Sequence, residues 1–147
     1  MFPRRDRGLF VPEPIRDRLE ASVADAHPVE AGGFLACERD GDWLRAVDHV
    51  ALANEATDPT RRFRATVDER APGRPRVFYH SHTSAASPSG LTDTDRRHIP
   101  ERFALVVFAP HGDAYSYRLF RRGLVRWREL AVAPARTVSQ ATLPRLP

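Results

Sequence analysis

Lysine is absent from this chain, so all 23 of its basic residues are arginine. Arginine-only usage is a mark of genome composition and carries little functional weight. Cysteine occurs once, which excludes an internal disulfide and fits a reducing, cytoplasmic setting. That residue, Cys37, lies in an apolar stretch with no neighbour arranged to lower its pKa, so it reads as a small buried hydrophobe rather than a nucleophile. No apolar run approaches a membrane span. The start Met1-Phe2-Pro3-Arg4-Arg5-Asp6-Arg7 is not followed by the apolar core of a signal peptide. The expectation is therefore a cytoplasmic protein with no membrane partner. A net charge of +4 could attract nucleic acid, yet neither a recognised motif nor aromatic–basic interleaving supports it. No internal repeat is visible, and 147 residues fit one domain with a real core.

What the chain does contain is His80-Ser81-His82, preceded by the β-branched and aromatic run Arg76-Val77-Phe78-Tyr79. That run predicts a buried strand ending in the histidine pair. Side chains two apart on a strand share a face, so both imidazoles project together. A small, turn-prone stretch, Thr83 to Gly90, leads into Leu91-Thr92-Asp93-Thr94-Asp95-Arg96-Arg97, which reads as a helix start with Thr92 or Asp93 near the cap. Asp93, kept ionised by the helix N-terminus, can swing back towards the histidines. Two nitrogens and one carboxylate oxygen leave the fourth position of a tetrahedral zinc open to water, the pattern of a catalytic rather than a structural site. Asp95 is the rival third ligand, two residues further into the helix. His27, His49, His98 and His111 form no ligand-spaced cluster and are assigned surface or cap roles.

A second element lies upstream, in His27-Pro28-Val29-Glu30-Ala31-Gly32-Gly33. Ile15, Leu19 and Val23 give the preceding segment an apolar stripe, predicting a helix over 14–26 that Pro28 stops. Glu30 falls just before an apolar strand. Facing the metal, it could take a proton from zinc-bound water and pass it to a leaving amine.

The remaining order is a short strand near Phe10, strands over 33–38 and 43–52 joined by an Asp40-Gly41 turn, and extended pieces over 63–66 and 76–82. A helix over 92–99 then precedes strands over 104–109, 114–121 and 124–130. The stretch 64–75 has two prolines and too few apolar positions for more than a turn of helix, which would leave an adjoining cleft open. The domain is expected over 1–130. Residues 131–147 are expected to form a flexible tail, with pairing to a neighbouring subunit or cover of a sheet edge as the alternatives, and a homodimer is among the expected assemblies.

Glu-x-x-Gly upstream and His-x-His-(ten residues)-Asp downstream, at Glu30, His80, His82 and Asp93, together resemble the JAMM metalloproteases, also called MPN+ or Mov34/PAD-1 domains. Asn54-Glu55-Ala56-Thr57-Asp58-Pro59, Phe103–Phe108 and Tyr115–Phe120 extend the likeness from about Phe10 to Leu130. It implies an α/β domain of the α+β type, a mixed β-sheet flanked by helices and related to the cytidine deaminase-like fold. It also implies one zinc ion per chain on His80, His82 and Asp93, with Glu30 as general acid/base. The family places a serine three residues before its metal-binding aspartate, a hydrogen-bond donor to the tetrahedral intermediate. Gly90 stands there, and Ser89, one place earlier, is the candidate donor. Thr83 after His-Ser-His resembles the bacterial branch that trims small ubiquitin-like sulfur-carrier proteins after a C-terminal Gly-Gly. A cationic surface would steer such an acidic carrier to the cleft. The alternative is a metal-free MPN-type binding scaffold. A zinc deaminase is disfavoured because the His-x-Glu and Pro-Cys-x-x-Cys pair is missing.

Overall fold

Alternating apolar positions along most of the strands allow two buried layers, and the computed structural model, which describes residues 5–111 and 114–133, realises both. The elements run β1 (Gly8–Phe10), α1 (Glu13–Ala26), β2 (Gly32–Asp40), β3 (Trp43–Leu52), β4 (Arg76–His82), α2 (Asp93–His98), β5 (Phe103–Phe108), β6 (Ser116–Arg122) and β7 (Trp127–Ala133). The strands form a closed barrel in the order β1-β3-β2-β4-β5-β6-β7. Most pairings are antiparallel, but β1 lies parallel to both β3 and β7, and β4 parallel to β5. The result is a mixed α/β domain.

The β2–β3 hairpin turns at Gly41, whose φ of 61° is the left-handed conformation that glycine reaches without steric cost. Along β4, Val77 and Tyr79 point into the main core with Ile15, Leu19 and Val23 of α1, while Phe78 packs on the opposite face with Leu91, Ile99 and Val106. Strand β5 is buried on both faces for the same reason: Phe103, Leu105 and Val107 face α1, and Ala104 and Val106 face away from it. A parallel β4–β5 pair cannot be joined by a tight turn, so residues 83–102 must cross over, and α2 lies within that crossover. The crossover starts at His82 and returns over the face of β4 that carries Phe78, His80 and His82. The fold thereby folds a helix start back onto the histidine pair.

Between Phe63 and Arg76 there is no helix, as the prolines and sparse apolar positions predict. The last strand runs to Ala133, three residues past the expected domain end, because Leu130 and Val132 pack against the main core. The rest of the expected tail, residues 134–147, lies outside the described residues.

Candidate metal centre

Strand alternation fixes the first part of the site. His80 and His82 project from the same face of β4, both almost fully buried, with their Nε2 atoms 3.0 Å apart. The main chain and side chain of Ser81, between them, both bond Ala31: Ser81 N donates to Ala31 O at 2.8 Å and Ala31 N donates to Ser81 Oγ at 2.8 Å. This pair of bonds places Glu30, the residue before Ala31, beside the histidines. Glu30 is itself held through its backbone, its N–H on Pro59 O and its carbonyl on Asn54 Nδ2, at 2.8 and 2.9 Å. Phe63 presses on Gly32, where an added Cβ would meet the ring at about 2.5 Å, so a side chain at 32 is excluded unless Phe63 moves.

Two expectations about the crossover need correction. Asp93 does not face the histidines. Its side chain is 88% exposed and pairs with Arg96 at 3.0 Å. Asp95 does face them, with one carboxylate oxygen 3.3 Å from Nε2 of both His80 and His82. The cause is the helix start. Thr92 caps α2, its hydroxyl accepting from Asp95 N at 3.0 Å, while the Asp95 carboxylate bends back to accept from Thr92 N at 2.9 Å. This capping box turns the third helical residue towards the strand and leaves the first pointing to solvent. Ser89 also departs from expectation: its hydroxyl accepts from Arg118 on β6 at 3.2 Å, and it does not line the cavity. Thr92 does line it, and stands three residues before Asp95. Among the described residues no acceptor takes the Thr92 hydroxyl proton. Twelve residues, not ten, thus separate His82 from the aspartate that reaches it. The signal available in sequence was the Thr-x-x-Asp capping pattern.

Buried Glu30, His80 and His82 offer ligand atoms within 4.8 Å of one another, a group that can hold a metal ion. The donor set fits the expected metal. Four ligands at zinc bond lengths of about 2.0–2.1 Å stand about 3.3 Å apart at the corners of a tetrahedron, close to the spacing among the two histidines and Asp95. His82 Nδ1 lies 2.8 Å from Pro88 O, which keeps its proton there and leaves Nε2 as a lone-pair donor. His80 Nδ1 is buried and has no partner among the described residues, so the orientation of that ring rests on packing, including stacking on Phe78.

The electrostatics are strongly polarised. Burial pushes Glu30 up to about 8, with His82 and Arg62 pulling it down and Asp95 and Asp58 pushing it up. Burial also acts against an ionised Asp95, yet the facing His80 and His82 and the Thr92 amide overcome this and hold it well below the usual carboxylate range. A hydrogen-bonded Asp95 raises His82 despite its burial. These groups line one side of a cavity of about 790 Å³, with Phe63, Phe78 and Leu52 as apolar wall and Arg61, Arg62 and Arg64 among its cations. Cys37 takes no part: burial pushes its thiol up to about 12.

Residues 12–123 match the family model described as prokaryotic homologs of the JAB domain. No curated protein matches the chain. Among solved structures, the solution structure of protein DSY2949 from Desulfitobacterium hafniense superposes with a TM-score of 0.66 at 18% identity, covering 85% of this chain and 91% of that one. The solution structure of a protein from Salinibacter ruber gives a TM-score of 0.56 at 20% identity, over 83% of this chain and 88% of that one. At these identities both are likenesses of fold. Among the described residues no helix is long and apolar enough to cross a membrane. With the match spanning β2 to β6 and both arms of the buried Glu–His–His group, the chain belongs to the prokaryotic homologues of the JAB domain.

Proposed function

We propose that this protein is a zinc-dependent peptidase that cleaves after the C-terminal Gly-Gly of a small ubiquitin-like sulfur-carrier protein, releasing a residue, peptide or conjugated protein. The observation that carries this is the convergence of His80, His82 and Asp95 at tetrahedral spacing beside a buried, proton-retaining Glu30. His80, His82 and Asp95 would hold the ion, which when bound lowers the pKa of water to about 7 and polarises a carbonyl. Glu30 would act as the acid and base at this site, taking a proton from the attacking water and delivering it to the departing amine. Its carboxyl, pushed up by burial, suits the second role. Thr92, with its hydroxyl proton free, is the donor towards the tetrahedral oxygen in place of Ser89. Removing such a donor costs about 3–4 kcal/mol of transition-state stabilisation.

A Gly-Gly tail suits a groove hemmed in by Phe63 and Phe78. Because the barrel is closed, both edges of β4 are already paired. The tail therefore runs beside the irregular 62–67 segment rather than along a free strand edge. The test is incubation of the zinc-loaded protein with a carrier extended beyond its Gly-Gly, followed by mass spectrometry. Cleavage after the second glycine, lost in Glu30→Gln, supports the assignment. An intact carrier at all zinc concentrations refutes it and leaves a binding scaffold.

A further inference from the structure

Arg118 lies on β6, away from the cavity lining, yet the sheet sets it on the face that carries the histidines. In register, His80 of β4 stands opposite Val106 of β5, and Val106 opposite Arg118. Paired residues share a face, so Arg118 projects to the same side as His80, roughly 10 Å away across two strand spacings. The crossover that leaves His82 returns over that face, and its first half meets Arg118 there.

Successive residues of this part of the crossover are each held by a different partner. Pro88 O accepts from His82 Nδ1 at 2.8 Å. Ser89 Oγ accepts from Arg118 Nη1 at 3.2 Å. At Gly90 an added Cβ would stand 2.8 Å from the same Arg118 nitrogen and 3.1 Å from the Phe120 ring, so the chain lies against the guanidinium with no room for a side chain. Leu91 is buried with Ile99, Val106 and Phe120, and Thr92 caps the helix that turns Asp95 to the histidines. The strap 88–92 therefore joins the orientation of His82 to the cap that sets Asp95, and its polar anchor on the far strands is Arg118.

The arginine is not free to withdraw. Glu129 of β7 accepts from its Nε and Nη2 at 2.9 and 2.6 Å, and its guanidinium lies 5.3 Å from the centroid of the Phe120 ring. The ion pair is 40% and 45% exposed on its two sides, so its charges add little stability. Its two-point geometry instead fixes the plane of the guanidinium and leaves Nη1 aimed at Ser89.

We propose that Arg118 is a positioning residue for the metal centre, acting through Ser89 and Pro88 to orient the His82 imidazole. This deepens the zinc-site reading above and rests on it. The Pro88 carbonyl keeps a proton on His82 Nδ1 and leaves Nε2 as the donor atom, and it does so only while the strap stays in place. Arg118 touches no reacting group, so its whole effect passes through the histidine it helps to orient. The arrangement also gives Ser89 a use, as the acceptor that fastens the strap to β6.

The test uses Arg118→Met, which keeps an aliphatic stem over Phe120 and removes the fork. Two quantities are measured: zinc affinity by competition with a chelator, and the His82 imidazole signals by NMR on zinc-free and zinc-loaded protein. Losing an outer partner of a metal-binding histidine lowers affinity by about 10–100-fold, and Arg118→Met, one step further out, is expected at ~10-fold. Its His82 Nδ1–H signal should broaden through exchange with water. Arg118→Lys, a point charge without the fork, should fall between this variant and wild type. Val23→Ala is the control, because it lowers stability from the main core, on the opposite face of the sheet, and should leave both readings as in wild type. Zinc affinity of Arg118→Met within about two-fold of wild type, an unchanged His82 signal, or an equal loss in Val23→Ala overturns the proposal. If wild type takes up no zinc, the metal reading fails by itself and the zinc-free His82 signal decides. Broadening in Arg118→Met then supports the positioning role, and an unchanged signal overturns it. Should Arg118→Met not fold, Ser89→Ala takes its place, with an expected loss of about three-fold for the single hydrogen bond removed.

Discussion

Asp93 and Asp95 differ by two positions and by almost everything else: one is a solvated partner of Arg96, the other an ionised carboxylate between two buried imidazoles. Their roles are set by Thr92, whose cap reverses the Asp95 side chain. Thr92→Ala is expected to lower stability by ~1 kcal/mol through the lost cap and to loosen zinc binding by freeing Asp95. Thr92→Ser should restore both, which paired thermal melts and zinc titrations would show. Cys37 gives a second residue-scale expectation. With its thiol buried and its pKa raised to about 12, native protein at pH 8 should resist iodoacetamide, reacting only after denaturation. Fast native labelling would contradict that burial. The burial of Cys37 and the grouping of His80 and His82 with Glu30 were legible in sequence because strand alternation and apolar context decide them. The choice between Asp93 and Asp95 was not, because counting residues says nothing about which way a capped helix start turns its side chains.

Among the elements, β2 and the 53–75 connection depend on one close approach, the Phe63 ring against Gly32. Gly32→Ala is expected to cost ~1–3 kcal/mol by overpacking and to displace the loop that carries Arg62. Phe63→Leu, which shortens the ring side, should recover part of that loss in the double variant. A double-mutant cycle in urea would read the coupling, and strict additivity would contradict the contact. The sequence predicted β2 to β6 and both helices closely, since periodicity and prolines govern them, but it set the last strand three residues too early and the extended piece over 63–66 forms no strand. It also predicted a connection without a helix over 64–75. What it lacked was the packing of Phe63, a long-range contact that has no local pattern. Ser89 failed for a related reason, because Arg118 on a distant strand claims its hydroxyl.

For the whole molecule, closure of the barrel brings Asp6, before β1, between Arg39 of β2 and Arg121 of β6, at 2.7 and 2.5 Å. Burial opposes ionisation of Asp6, but the two guanidiniums hold its carboxyl below the usual range. A carboxylate whose folded pKa is depressed contributes stability above its unfolded value near 3.8 and loses it as the pH falls through the folded value. Asp6→Asn should therefore destabilise by ~2–4 kcal/mol near neutrality, less than a fully sequestered pair because both arginines keep some water contact. The gap to wild type should narrow below about pH 4. A gap that stayed constant from pH 7 to 3 would assign the loss to packing instead. Closure itself had no sequence signature, because the parallel pairing of β1 with β7 joins the two ends of the described chain.

The central claim is that His80, His82 and Asp95 form a zinc site, and elemental analysis of tag-free protein tests it most directly. Wild type and Asp93→Ala should each carry close to one zinc per chain, and His82→Ala and Asp95→Ala little. Zinc retained by Asp95→Ala but lost from Asp93→Ala, or none in wild type after reconstitution, would contradict the account.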